Sequence, residues 1–260
     1  MCILALAWQV LEDTPLLLIS NRDEFYHRAA QPLAHWPHSP VFAGQDLQLG
    51  GTWQGITEQG RWAVVTNFRE GGQTTQYPTS RGDLVKDFLC SDLPPIRFAK
   101  QLESRQQDYA GFNLIVGDRQ QAVYMSNRGE APQVLAKGVY VLSNGLMSEY
   151  WQKTAHLRKR FTQELLPLMQ LPQVTLAEQL DTAWDILQDR RKVAVPLLPH
   201  TGIGEEMELL LSSTFIQSEV YGTRCSNFLL IEKERFNWWE KIQQGKHAGE
   251  IRNIELKINY

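Results

Sequence analysis

The first twenty residues set the hardest constraint on this chain. Ile3-Leu4-Ala5-Leu6-Ala7-Trp8 is apolar at every position, and Leu16-Leu17-Leu18-Ile19 repeats the pattern after a short polar break. A strand that alternates apolar and polar residues can leave one face in water, whereas one that is apolar on both faces needs cover on each side. Glu12-Asp13-Thr14-Pro15 carries turn chemistry, so residues 3–10 and 16–20 read as a hairpin. With its turn near Asp13, the pairing places Cys2 roughly opposite Glu24. A doubly buried hairpin needs helices or a second sheet on both sides.

The rest of the chain supplies candidates for that cover. Residues 44–60 are rich in glycine around Gly50-Gly51-Thr52-Trp53 and predict a tight loop leading into a strand over 61–67. Residues 71–80 predict a loop. Helices are expected at 81–90 and 95–107, the second with Pro95 in its first turn, where proline is tolerated. Strands are expected at 112–117, 121–127 and 139–144, and amphipathic helices at 151–169 and 175–188. Residues 212–220 and 226–233 suggest a hairpin across Tyr221-Gly222-Thr223-Arg224-Cys225, and 251–258 suggests a last strand. Strands at both ends with helices grouped between them indicate an α+β layered fold, with two helix layers around two sheets.

Composition narrows the function. The 260 residues carry a net charge of −3, which gives no reason to expect a nucleic-acid or anionic-membrane partner. Cys2, Cys90 and Cys225 are an odd number without a CxxC pair, which argues against a disulfide framework and fits a reducing compartment. No stretch reaches the ~18 apolar residues of a membrane span. The expectation is a soluble cytoplasmic protein with a small-molecule ligand or substrate and no stable membrane insertion.

Cys2 becomes the first residue once Met1 is removed. A terminal cysteine joins nucleophile and base, since its thiol attacks while its own α-amine takes the proton. The ordinary pKa values, about 8.5 and about 8, lie close to neutrality. The hairpin brings Asn21-Arg22-Asp23-Glu24 beside it. Charges at the end of a buried strand need partners. Asp23 is expected to hold the terminal ammonium or receive its proton, and Arg22 to lower the thiol pKa or hold a substrate carboxylate. Asn67 and Asn144, each ending a strand, are candidate oxyanion donors, and Arg224 is a candidate cation for the same cleft. Asn21, Arg22, Glu24 and Trp53 are candidate substrate contacts. Trp36, Trp62 and Tyr77 are alternatives between pocket lining and core. His27, His35 and His38 offer possible axial ligands, but the chain has no CxxCH motif and no zinc spacing.

Met1-Cys2, the Asn21-Arg22-Asp23-Glu24 tetrad, Gly51-Thr52-Trp53, Thr66-Asn67-Phe68-Arg69, Leu142-Ser143-Asn144-Gly145 and Tyr221-Gly222-Thr223-Arg224 together resemble the NRDE family, which includes the eukaryotic transport-and-Golgi-organisation proteins. That family in turn resembles the N-terminal nucleophile (Ntn) hydrolases. The resemblance implies one domain over 1–260, folded as a four-layer αββα sandwich. The branch to compare is the cysteine-first acylases of the penicillin V acylase and bile salt hydrolase type. It implies Cys2 as nucleophile of an amide hydrolase, Asp23 holding the amine, Asn144 in the oxyanion hole and Arg224 in the site, with no cofactor required. Three residues before Asp23, where those acylases carry an arginine, this chain has Ser20, and Arg22 sits beside Asp23 instead. The resemblance also implies an alternative, a non-enzymatic protein that binds and traffics haem, acyl-coenzyme A or lipid in the same cleft. A third reading, in which Cys2 is S-acylated, comes last, because one acyl chain without a basic patch anchors only marginally.

Overall fold

In a computed structural model, which describes residues 2–72, 75, 77–129 and 131–258, the strands form two antiparallel sheets. The first sheet contains β1 (Cys2–Trp8), β2 (Leu16–Phe25), β10 (Gly138–Leu142), β11 (Tyr221–Ile231), β12 (Arg235–Ile242) and β13 (Ile251–Lys257), in the order β10-β1-β2-β11-β12-β13. The second contains β3 (Ala30–His35), β4 (Val41–Asp46), β5 (Gln54–Thr57), β6 (Trp62–Asn67), β7 (Phe112–Gly117), β8 (Ala122–Ser126) and β9 (Gln133–Val134), ordered by sequence. Helices α1 (Arg81–Leu89) and α2 (Pro95–Glu103) serve the second sheet. The first is covered by α3 (Gln152–Arg160), which continues through a π-helical turn (Phe161–Leu165) into α4 (Leu166–Leu168), and by α5 (Leu176–Leu187); α6 (Glu205–Leu210) follows.

Side-chain alternation in β1 and β2 divides the layers. Leu4, Leu6, Trp8, Leu16 and Leu18 pack against Phe42, Ile56, Trp62 and Ile115 of the second sheet. Ile3, Ala5, Ala7, Leu17 and Ile19 pack against Leu157, Phe161, Trp184 and Leu187 of the helices. On the far side, Val41, Ala63, Val65 and Leu114 pack against Leu84, Phe88, Phe98 and Leu102. The result is the expected αββα sandwich, with β1 buried on both faces. No helix among the described residues is long and apolar enough to cross a membrane.

Two expectations are corrected. The β1–β2 loop is centred one residue earlier than the turn chemistry suggests: Trp8 pairs with Leu16, and Gln9, at φ 53°, starts a loop closed by its N–H to the Pro15 carbonyl. Cys2 therefore lies opposite Arg22 rather than Glu24. A two-residue slip keeps every side chain on its expected face. The second correction concerns 212–225: residues 212–220 form no strand beyond an isolated bridge at Gln217, and 221–225 are strand and not turn. β2 runs on to Phe25, so Tyr221, Gly222 and Thr223 pair with Phe25, Glu24 and Asp23, and the ladder is irregular between Thr223 and Cys225. Gly222 is needed for close approach: a Cβ there would lie 2.3 Å from the Tyr26 hydroxyl and 2.5 Å from the Ile216 carbonyl oxygen. β11 then turns into β12, which the sequence pattern did not mark, as it did not mark β3, β4 and β5.

Candidate functional site

The alternation that buries Leu4 and Leu6 between the sheets places Cys2 there too. On β2 the same face carries Ser20, Arg22 and Glu24, while Asn21 and Asp23 turn toward the helices. Cys2 opens into a cavity of about 350 Å³, whose lining includes Arg22, Asp23, Glu24, Trp53, Asn67 and Arg81.

Arg22 is directly opposite Cys2, and its guanidinium stacks over the Trp53 ring at 4.0 Å. It also approaches Asp46 at 3.5 Å, although Arg28 claims that carboxylate more closely at 2.6 Å. Trp53 is held by a tight backbone crossing. A Cβ on Gly51 would lie 2.5 Å from the Gly82 carbonyl carbon, and Thr52 N–H donates to the Gly82 carbonyl at 3.2 Å. The glycines of Gly50-Gly51-Thr52-Trp53 thus bring the β4–β5 loop against the first turn of α1. The buried Trp53 indole N–H has no acceptor among the described residues. Ser20 donates to Gln54 at 2.8 Å, so the cation on this face comes from Arg22, one pleat further along.

Asp23 is almost fully buried, and the Thr223 hydroxyl donates to its carboxylate at 2.7 Å. Burial raises its pKa, against the pull of Lys153, Thr223 and Arg69. Burial likewise raises the Cys2 thiol; Arg22 and a hydrogen bond from the Asp23 backbone act in the opposite direction. Met1, whose removal the terminal-cysteine chemistry requires, lies outside the described residues.

The remaining candidates divide. Asn67 faces the cavity beside Cys2. Asn144 lies behind it: its Nδ2 donates to the Asn67 carbonyl at 2.9 Å, and its Oδ1 accepts from Ser143 at 3.1 Å. Ser143 Oγ also lies 3.3 Å from the Cys2 carbonyl oxygen, the alternative acceptor for its one hydrogen. Asn21 faces the helices, where its Nδ2 donates to the Leu187 and Thr214 carbonyls at 2.7 and 2.9 Å. Glu24 lines the cavity and accepts from the Phe25 N–H at 2.9 Å. Arg224, at the irregularity in β11, donates to the Phe25 and Arg28 carbonyls at 2.7 and 2.9 Å. It lines a separate cleft of about 200 Å³ on the other side of Arg22 and Trp53. Trp62 is core, Trp36 packs under the helices and Tyr77 lines the Cys2 cavity.

Arg81 and Arg69 were not singled out for the site by the sequence pattern. Arg81, in the first turn of α1, lines the cavity; burial lowers its pKa, while Glu24 and Cys2 pull it back up. Arg69 forms a buried ion pair with Glu208 at 2.6 Å and lies 5.0 Å over Trp151. His27, His35 and His38 are absent from the cavity lining; His35 stacks on Phe42 and meets the Ser39 carbonyl.

Comparison with known proteins agrees with this architecture. A structure of a Caenorhabditis elegans N-acylethanolamine-hydrolyzing acid amidase ortholog superposes with a TM-score of 0.50 at 12% identity, over 88% of this chain and 92% of that one. At that identity the likeness shows the fold, which is of the Ntn-hydrolase type. The Transport and Golgi organization protein 2 homolog of Bos taurus is 33% identical over 232 residues, 84% of this chain and 83% of its own length. The Homo sapiens homolog is 31% identical over 233 residues, 84% of this chain and 83% of its own length. The profile of the family described as Transport and Golgi organisation 2 matches residues 1–245, and the chain belongs to that family.

Proposed function

We propose that this chain is an amide hydrolase with Cys2 as an N-terminal nucleophile, formed when Met1 is removed. The supporting observation is the placement of the thiol. It faces a cavity of about 350 Å³ with Arg22 directly opposite and Asp23 on the adjoining strand position. In the proposed sequence the Cys2 α-amine takes the thiol proton as sulfur attacks the amide carbonyl. Asn67, on the cavity lining, is a side-chain donor available to the oxyanion. The C–N bond then breaks, the α-ammonium returns its proton to the leaving amine, and water hydrolyses the thioester to free the carboxylate and the thiol. Asp23 stabilises the ammonium, and Arg22 and Arg81 favour the thiolate or a carboxylate on the substrate.

The test is intact mass with brief iodoacetamide treatment at pH 7, followed by a panel of N-acyl amides. The expected result is a mature chain lacking Met1 that labels fast at one thiol. Cys2→Ala should lose that label and depress hydrolysis on the order of a thousandfold or more. Retained Met1, or a slow Cys2, would remove this mechanism.

One observation favours a second reading. Burial holds the thiol above its ordinary pKa, which suits a cavity that binds without reacting. In that case the ligand is haem, acyl-coenzyme A or a lipid. A haem would take Cys2 or Tyr77 as its iron ligand, both being on the lining and of a ligating type. Haem titration of the Met1-retaining chain, read at the Soret band with Cys2→Ala alongside, separates the two.

A further inference from the structure

The helix-covered face of the first sheet carries a second cavity, of about 250 Å³, which the hydrolytic reading leaves unused. The first turns of α3 form one wall; residues 191–194, Leu197, Ser212 and Thr214 form the rest. Its basic lining residues are Lys153, His156, Arg191 and Lys192, and no Asp or Glu is on the lining among the described residues. Lys153 is the deepest, only 5% exposed, and donates to the Leu211 carbonyl at 3.0 Å. An ammonium has three donors, so its capacity is not used up. Lys192 donates to the Leu210 carbonyl at 2.6 Å and approaches Ser213 Oγ at 3.4 Å.

Asp189 is the carboxylate nearest this group, and its oxygen is already shared by Arg191 at 2.6 Å, His156 at 2.9 Å and Arg160 at 3.6 Å. Among the described residues neither Lys153 nor Lys192 has a carboxylate within 4.0 Å. Burying an ammonium without a counter-charge is costly. Burial, with the positive charges of Arg69 and Lys192, lowers Lys153 to about 7 despite the attraction of Asp23 and Glu208. Partial desolvation lowers Lys192 as well, although that residue is exposed. An anion in this cavity would supply the missing charge. A dianion can meet both ammoniums, whereas one carboxylate leaves a charge over.

We propose that this cavity is a second ligand site, for a small phosphate-bearing molecule, placed directly behind the strand that faces Cys2. The connection is physical. Thr214, on the lining, accepts from Asn21 at 2.9 Å, and Lys153 is within electrostatic reach of Asp23. Occupancy therefore bears on the helix-facing side of β2, whose other side presents Arg22 to the thiol.

The test uses the full-length chain and inorganic phosphate, with acetate at matched ionic strength as the monovalent control. Binding is followed by calorimetry and by ¹H–¹⁵N spectra. The site predicts saturable phosphate binding, with shifts at Lys153 and at Asn21 and Asp23, and little response to acetate. Lys192→Gln, at an exposed position, should weaken binding at least about tenfold, as expected for loss of a charge-assisted hydrogen bond. Arg191→Gln, at an exposed position, gives a second variant if the first does not fold. Absence of saturable binding, equal binding of acetate, undiminished binding in a folded variant, or shifts that spare residues 21–23 would each overturn the proposal. The readout is independent of hydrolysis, so it stands or falls separately from the nucleophile at Cys2.

Discussion

The two ends of the β1–β2 ladder have the same backbone, the same alternation and nearly complete burial, yet they hold together by different means. At the end near Trp8 and Leu16, both faces are apolar and pack into the two central cores. Stability there comes from area removed from water and from close packing. At the end near Cys2 and Arg22, the buried groups are Ser20, Asn21, Arg22 and Asp23. Each polar side chain there is met by a specific partner: Asn21 by two carbonyls, Asp23 by Thr223, and Arg22 by Trp53 and Asp46. Polar burial of this density adds little net stability. What it gains is a thiol, a guanidinium and a carboxyl held in fixed relation beside a cavity. Variants at the two ends should therefore fail differently.

The largest stability effect belongs to the buried pair behind the site. Arg69→Met leaves Glu208 without its cation, and the expected loss is about 3–5 kcal/mol, read by chemical denaturation. A loss below about 1 kcal/mol would mean that the pair is not buried in solution. Leu18→Ala, at the apolar end, should cost about 2–5 kcal/mol through lost contact and a cavity. It should leave the rate of Cys2 alkylation unchanged. A Leu18 variant that remains folded but alkylates at a different rate would break the division between the two ends.

A pH measurement sharpens the comparison further. Lys153 titrates at about 7 in the folded chain because burial disfavours its charge, against about 10.4 when unfolded. Between those values the unfolded chain binds the extra proton, so this residue makes stability rise with pH, by up to about 1.4 kcal/mol per unit. The increase from pH 7 to 9 should be smaller in Lys153→Met than in the parent. Equal slopes would mean that the ammonium stays solvated.

The layered fold was legible because residues 3–8 are apolar at both parities, which only a doubly covered strand explains. The face that Cys2 occupies was legible for the same reason, since parity survives a register error. Its partner was not: moving the turn centre by one residue exchanges Glu24 for Arg22, and local turn chemistry does not resolve that step. Tyr221-Gly222 was misleading because a glycine required by the crowding of Tyr26 and Ile216 looks the same in sequence as one that makes a turn. Lys153 did carry a signal. It precedes Leu157, Phe161 and Leu165 at helical spacing, on the stripe that faces the first sheet, and a lysine there must be buried. Arg81 carried none, because an arginine in a first helical turn has no mark until β4–β5 and α1 are brought together.

The smallest effect is the most specific to the polar end. Arg22→Met removes the cation opposite Cys2, so the thiol pKa should rise, and alkylation near neutral pH should slow by about tenfold for each unit of that rise. The stability cost should be only about 1 kcal/mol: the stack on Trp53 is lost, while Asp46 keeps Arg28 at 2.6 Å. Arg22→Lys returns the charge without the planar stack. If lysine restores the rate, charge alone tunes the thiol. If it does not, the ordered guanidinium over Trp53 matters, and the Gly51–Gly82 crossing that positions Trp53 belongs to the site. A methionine variant that alkylates as fast as the parent would show that Arg22 plays no part in tuning Cys2, and the charged end of the ladder would then differ from the apolar end in composition only.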